Sequence, residues 1–549
     1  MKPQKSLRLG VMICVVALTG VAGAAHAVAP TPAEERLGTV SFPVSCAPSV
    51  QASVNRGVAL LHDFWYEESK PQFERILATD PSCAIAHWGI AMSVFHQIWD
   101  RPNDATLAAG WKEMQAAQAQ PARTAREREY IAVLSEFFKP GQDGFEPRIT
   151  AYARSMGQLY AHYPNDVDAG AFYALALLAA ISPNDTSMTQ ERKAMEVLTP
   201  LWRKYPDHPG LVHYIIHACD TPSLARDGLA AARHYGEIAG SGPHAVHMPG
   251  HIFARLGMWR EDIQSNEASV TASREADARH ESGWMDQFHS DDFLVYAYLQ
   301  SGQEARARAI VAASSAALSH YEKMPQMTAD SYMVGMFPYY RVKLPIFVAL
   351  ETRDWQSAAG LDVDQAGTPT SKLLVLWART IANGHLRQAQ QARADVAAFE
   401  AVLAGMSQGN RAWEADTTGV KIGRNVMLGW LAFAEGRTEE AARHLRAAAY
   451  LQDKVGQGEV DIPAREMLGD VLLESGKPAA ALVEYKQALE LSPNRFNALF
   501  NAGRAAESAG NAAEARGYYA ALLESTDNGA HSTRPEIAHA KAFAATASN

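Results

Sequence analysis

The chain has 549 residues, 48% of them hydrophobic and 20% charged, so it is a folded protein rather than a disordered one. That length is too great for one compact core and suits several domains or one long solenoid. The formal net charge is −10 with no long basic run to offset it, which argues against nucleic acid and anionic membrane as partners.

Residues 1–27 read as a cleaved leader. Lys2, Lys5 and Arg8 form a basic start, an apolar run follows from Val11 to about Ala22, and Ala25-His26-Ala27 fits the A-x-A cleavage rule. The apolar run is shorter than the ~20 residues a membrane span needs. The expected mature chain begins at Val28, carries no membrane span, and is periplasmic or secreted. Removing three positive charges gives it a net charge of −10 − 3 = −13. Residues 28–49 form an N-terminal extension. Export permits a disulfide. Among Cys46, Cys83 and Cys219 the expected pair is Cys46–Cys83, because Cys219 lies far along the chain; three free thiols are the alternative.

Residues 50–304 read as helix pairs. Residues 54–81 give one pair, with Gly57 in its first helix, and AIAHWGIAMSVFHQIW opens the next; His62 and His96 lie 34 residues apart. His62, His87 and His96 sit among Trp88, Phe95 and Trp99 and read as packing. Residues 137–148 look like a long inter-helix connection. Residues 211–255 hold two H-x-x-x-H pairs, His213/His217 and His247/His251, again 34 residues apart. Gly257-Met258-Trp259 and Gly302 mark further turns. Residues 305–375 form a connecting helical region in which two halves of the chain are expected to meet, with a turn at Asp354-Trp355 and a loop over 362–371. Repeats fill 376–525, and the tail from 526 to 549 is expected to fray. No stretch alternates in the way a sheet demands.

The repeat is plainest near the C-terminus. Gly469 pairs with Gly503, Gly476 with Gly510, Ala481 with Ala515, Tyr485 with Tyr519 and Leu489 with Leu523, each 34 residues apart, and Gly429, Gly436 and Ala441 belong to a preceding unit. These residues resemble the tetratricopeptide repeat, whose period is 34. The resemblance implies an all-α, helix-turn-helix solenoid, a right-handed superhelix of stacked helix pairs, with a protein or peptide partner in its concave groove. With the leader and HMPGHIFARLGMW, the chain looks like exported bacterial members of that family of uncharacterised role. The physics agrees: each unit has an apolar face it cannot bury alone, so neighbours stack.

Histidine is concentrated in one part of the chain. Nine of 19 fall between His208 and His289, where even spacing would place about three. In the register of the resemblance, His213 and His217 take positions 5 and 9 of one unit. His244, His247 and His251 take positions 2, 5 and 9 of the next, and His289, Asp292 and Tyr296 take positions 2, 5 and 9 of the third. Asp220 stands at position 12 of the first unit. The resemblance implies that these positions face the groove. Residues four apart on a helix bring their Cβ atoms within about 5–6 Å, and packed helices lie about 8–10 Å apart, so two such pairs can share one ion. The candidate ligands are His213, His217, His244, His247, His251, His289 and Asp292, and imidazole suits Zn, Cu, Ni or Fe. Pro249-Gly250 is expected to loosen the turn between His247 and His251 and change their spacing. No catalytic residue is assigned: H-E-x-x-H, a Ser-His-Asp set and phosphate-binding loops are all absent. The reading is an exported binding scaffold whose histidine-lined groove holds a transition metal. A metal-free interaction scaffold with a polar, pH-sensitive groove, a structural hydrogen-bond network and a metal-dependent enzyme are the alternatives.

Overall fold

The described chain is built of helices in consecutive packed pairs, and its described residues contain no strand. Gln51–His62 packs on Tyr66–Thr79, Pro209–Cys219 on Ala225–Ile238, Thr418–Ala434 on Thr438–Val455, and Phe496–Ser508 on Ala512–Ser525. The architecture is the expected all-α stack of helix pairs. This computed structural model describes residues 35–98, 101–120, 123–142, 144–323, 332–408, 412–456 and 461–545. Arg36–Asn549 is one compact unit. The leader call over 1–27 lies outside the described residues. No described helix is long and apolar enough to cross a membrane.

Two glycine positions explain why the pairs form. Gly257, Gly302, Gly436, Gly476 and Gly510 all have positive φ, between 64° and 80°, at the turn after the first helix of a pair. A left-handed residue there ends the helix and reverses the chain, at little cost only for glycine. Within the first helices of the last two repeats, a Cβ on Gly469 or Gly503 would stand 2.7 or 2.5 Å from the rings of Tyr485 or Tyr519. Each tyrosine of the second helix thus packs directly on bare backbone of the first, and both rings are fully buried.

The N-terminal extension is a strap. The Gly38 amide donates to the Ile238 carbonyl and the Thr39 amide to the Asp207 carbonyl, and the Cys46–Cys83 disulfide ties the strap to the second helix pair. Cys219 is free and buried, as the expected pairing requires.

Three expectations need correction. The connection over 137–148 is short: one helix runs to Phe138 and the next begins at Phe145. Buried Arg148 organises the turn by donating to the carbonyls of Phe137, Lys139 and Gln142. The tail does not fray over its described residues, because Pro535–Ala545 is a helix with Ile537 and Ala540 buried. Arg534 anchors it by donating to Asn497 and lying 3.7 Å over the Phe496 ring. Lastly, the halves do not meet in 305–375. One apolar core gathers residues from Phe42 to Phe253 and the other from Ala254 to Ala540.

The C-terminal repeats fold back onto the middle of the chain. Trp259 donates to the Asn494 carbonyl at 2.8 Å, and Asn494 donates to the Gly257 carbonyl at 3.1 Å. Arg495, wholly buried, pairs with Glu351 and Glu466. Arg353 pairs with Asp470 at 2.8 Å. Glu466 and Asp470 hold repeat positions 5 and 9, so intrachain ion pairs fill the groove face of that repeat.

Candidate metal centre

The histidines lie where the two apolar cores meet. His213 and His217 project from Pro209–Cys219, whose first-turn proline is well placed because the amide it lacks has no partner within the helix. His244 and His247 come from Pro243–His247, His251 from Pro249–Arg255, and His289 from Trp284–Gln300. They do not surround one ion as two pairs. They form two groups of three, His213/His217/His244 and His247/His251/His289, and within each group one ligand atom per residue lies within 4.8 Å of the others.

Pro249 does not change the spacing. It opens a new short helix, and Met248 before it stays helical at φ −52°, ψ −35°. The Nε2 atoms of His247 and His251 are 2.9 Å apart, against 3.0 Å for His213 and His217 on an unbroken helix. Gly250 has its own reason: a Cβ there would stand 2.6 Å from the Asn266 amide nitrogen and 2.9 Å from an Asp262 carboxylate oxygen. The M-P-G between these histidines lets that polar pair approach their backs.

Hydrogen bonds behind the rings set which nitrogen carries the proton. His213 Nδ1 lies 2.6 Å from the His62 carbonyl, which only accepts, so this nitrogen is the donor. Asn266 spends its amide nitrogen on Asp262, so its oxygen faces His247 Nδ1, at 2.6 Å, and accepts from it. His251 Nδ1 meets Asp220 at 2.8 Å. Burial would raise the Asp220 carboxyl, but Arg255 and His251 beside it hold it well below the usual range, so it too accepts. These partners turn the Nε2 atoms of His247 and His251 toward each other, 2.9 Å apart. Two ring nitrogens that close share either a proton or a metal ion. Around that pair, burial holds the imidazoles of His213, His244 and His289 well below the ordinary range.

The spacing fits a metal. Two nitrogens at 2.0–2.1 Å from an ion and at right angles around it stand about 2.9 Å apart. For a triad with one 3.0 Å edge and the others at the 4.8 Å limit, the equidistant point lies about 2.5 Å from each nitrogen, so shifts of about half an ångström complete the shell. Each triad is walled by a phenylalanine. Phe64, left-handed at φ 57°, lies 4.4 to 5.6 Å from the rings of His213, His217 and His244, and Phe293 lies 4.8 to 5.5 Å from those of His247, His251 and His289. His213, His244, His247 and His251 are buried, whereas His217, His289 and Asp220 are partly exposed and mark the side open to solvent. An enclosed centre replaces the open groove expected from the sequence.

Asp292 joins neither group. It is buried against Lys343, which donates to it. Sequence reasoning missed Asn266, Asp262, Phe64 and Asp286, the last of which stands 3.3 Å from His244 Nδ1. It also placed His62 in simple packing, yet His62 and His208 both meet Asp168 Oδ1, at 3.0 and 3.2 Å. Burial brings His62 down to about 4, while hydrogen bonds from His208 and His62 outweigh burial and hold Asp168 well below the carboxylate range. Here two ring nitrogens face one carboxylate oxygen, so this group braces the carbonyl under His213, while Asp168 Oδ2 and His208 Nδ1 are buried without a hydrogen-bond partner.

Residues 466–530 match a family model described as tetratricopeptide repeat, so the C-terminal segment is made of tetratricopeptide repeats. No curated protein matches the chain significantly. Similar solved structures include a human IFIT1 dimer with m7Gppp-AAAA, at 11% identity and a TM-score of 0.38, covering 80% of this chain and 90% of that one. The P58(IPK) TPR domain is similar at 12% identity and a TM-score of 0.21, covering 91% of this chain and 99% of that one.

Proposed function

We propose that this chain is an exported tetratricopeptide-repeat scaffold that binds a transition metal, Zn, Cu, Ni or Fe, through its buried histidines. One observation carries the metal: His213, His217 and His244, and likewise His247, His251 and His289, each bring one ring nitrogen within 4.8 Å of the others. The leader-like segment 1–27 and the Cys46–Cys83 disulfide support export to an oxidising compartment. The C-terminal repeats support a protein or peptide partner, docked outside the groove positions that Arg353 and Arg495 occupy.

The test is elemental analysis of the purified protein, followed by thermal melts with chelator and with added Zn²⁺, Cu²⁺ or Ni²⁺. A metal at 100 times its Kd stabilises the fold by about 2.7 kcal/mol. Chelation should therefore lower the melting temperature of wild type but not of a His217→Ala/His251→Ala double variant. The exposed His531 gives the control, since His531→Ala should behave as wild type. Metal-free protein with the same melt under every condition would leave a metal-free interaction scaffold.

A further inference from the structure

We infer that the two triads are repeat-related copies of one site, each holding its own ion, so that the chain carries a two-ion centre able to take a small oxygen-donor ligand of the hydroxide class. This rests on the metal reading above and deepens it. Both triads obey one rule: positions 5 and 9 of a repeat supply two rings, and position 2 of the next repeat supplies the third. His213, His217 and His244 follow it, and so do His247, His251 and His289. The rule survives a change in spacing, for the intervening second helix has 14 residues in one case and 20 in the other. It also explains why the series stops at two. Gly210 stands at position 2 of the first repeat, where a Cβ would lie 2.3 Å from His62 Nδ1. Asp292 and Tyr296 stand at positions 5 and 9 of the third, Asp292 engaged with Lys343 and Tyr296 donating to the Asp461 carbonyl.

The triads abut. Ring centroids of His244 and His247 are 5.9 Å apart, and those of His217 and His251 are 6.3 Å apart. Each triad is braced independently from behind, by the His62 carbonyl for His213, and by Asn266 and Asp220 for His247 and His251. Three imidazoles leave a transition ion with at least one open position, which is the mark of a site that takes a further ligand rather than a closed structural one. The partly exposed His217 and His289, one in each triad, leave that ligand a route from solvent.

The experiment counts ions in the full mature chain equilibrated with buffered Cu²⁺ and then dialysed. Wild type should hold two per chain, His244→Leu and His289→Leu one each, and the double variant none. In electron paramagnetic resonance, wild type should show a coupled signal with less than one spin per copper. Each single variant should show an ordinary isolated Cu²⁺ spectrum, and azide, as the probe for the small-ligand position, should alter the wild-type signal. One ion in wild type, lost in both variants, would overturn the two-ion centre and leave the metal reading standing. Two ions with uncoupled spins would overturn the shared centre, an azide-insensitive signal would overturn the open position, and no ion at all would overturn both readings. The wild-type count needs no variant, so a variant that fails to fold does not spare the proposal.

Discussion

Asn266 offers the sharpest test of how the second triad is held. Its oxygen accepts from His247 Nδ1 at 2.6 Å, and its amide nitrogen donates to the Asp262 carbonyl and carboxyl at 2.9 and 2.7 Å. All three residues are buried, and burial pushes the Asp262 carboxyl well above the usual range. Asn266→Leu keeps the branched shape but removes the acceptor that holds His247 in its tautomer and orientation. Losing such an outer partner typically costs about 10–100-fold in metal affinity, or about 1.4–2.7 kcal/mol. The expected outcome is that loss at the His247/His251/His289 site, with the His213/His217/His244 site unchanged. Asn266→Asp should bind more tightly than Asn266→Leu, because its carboxylate still accepts from His247 Nδ1. Competition against a chromophoric chelator measures both affinities, and circular dichroism confirms folding. A folded Asn266→Leu chain with both affinities intact would refute the tautomer argument and the site built on it.

Three further outcomes follow from the fold. Gly503→Ala puts a Cβ 2.5 Å from the buried Tyr519 ring and should destabilise by about 1–3 kcal/mol, read as a lower urea midpoint for the C-terminal transition; an unchanged midpoint would show that the repeat register is wrong. Replacing both Cys46 and Cys83 by Ser frees a link across 37 residues, whose chain-entropy value is up to about 4 kcal/mol, so the non-reducing melt should fall to that of reduced wild type; equal melts for oxidised wild type and variant would deny the bond a role. Burial pushes the Asp461 carboxyl up to about 6, so the folded state keeps a proton that the unfolded state loses near pH 4, and stability falls as pH rises between those values. Asp461→Asn should therefore gain about 1–3 kcal/mol over wild type above pH 6 and nothing at pH 4, and an equal difference at both would contradict the shift.

What was legible in the sequence is what depends on local periodicity. Gly476 and Gly510 announce their turns because only glycine is comfortable at φ 74° and 78°, and Gly469 and Gly503 announce close approach because Tyr485 and Tyr519 recur at the same offset. Phe64 breaks the rule, holding a left-handed turn with a side chain that packs on three histidines, so no local signal could mark it. The return of the C-terminal repeats was also hidden. Arg495 reads as an ordinary exposed residue after Pro493-Asn494 until Glu351, 144 residues earlier, supplies its partner. Ion pairs of that range leave no periodic trace, and this one, with Arg353 and Asp470, is why a groove read as open is filled.

The ligand set was legible as a list but not as a partition. An H-x-x-x-H pair invites the reading that two pairs clasp one ion, because residues four apart on a helix are the neighbours that sequence can count. The structure groups them otherwise, since position 2 of the next repeat brings a ring nitrogen within 4.8 Å of those at positions 5 and 9. His244 and His289 are therefore the informative histidines, each tying one repeat's pair to the following helix. Asp292 shows the converse, for its position matches that of His213 and His247 while its partner is Lys343. Repeat phase says which face a residue occupies. Whether it ligates depends on the groups behind it: the His62 carbonyl, Asn266 and Asp220 hold the Nδ1 atoms and turn the Nε2 atoms inward, whereas Lys343 takes the carboxylate that would otherwise have joined them.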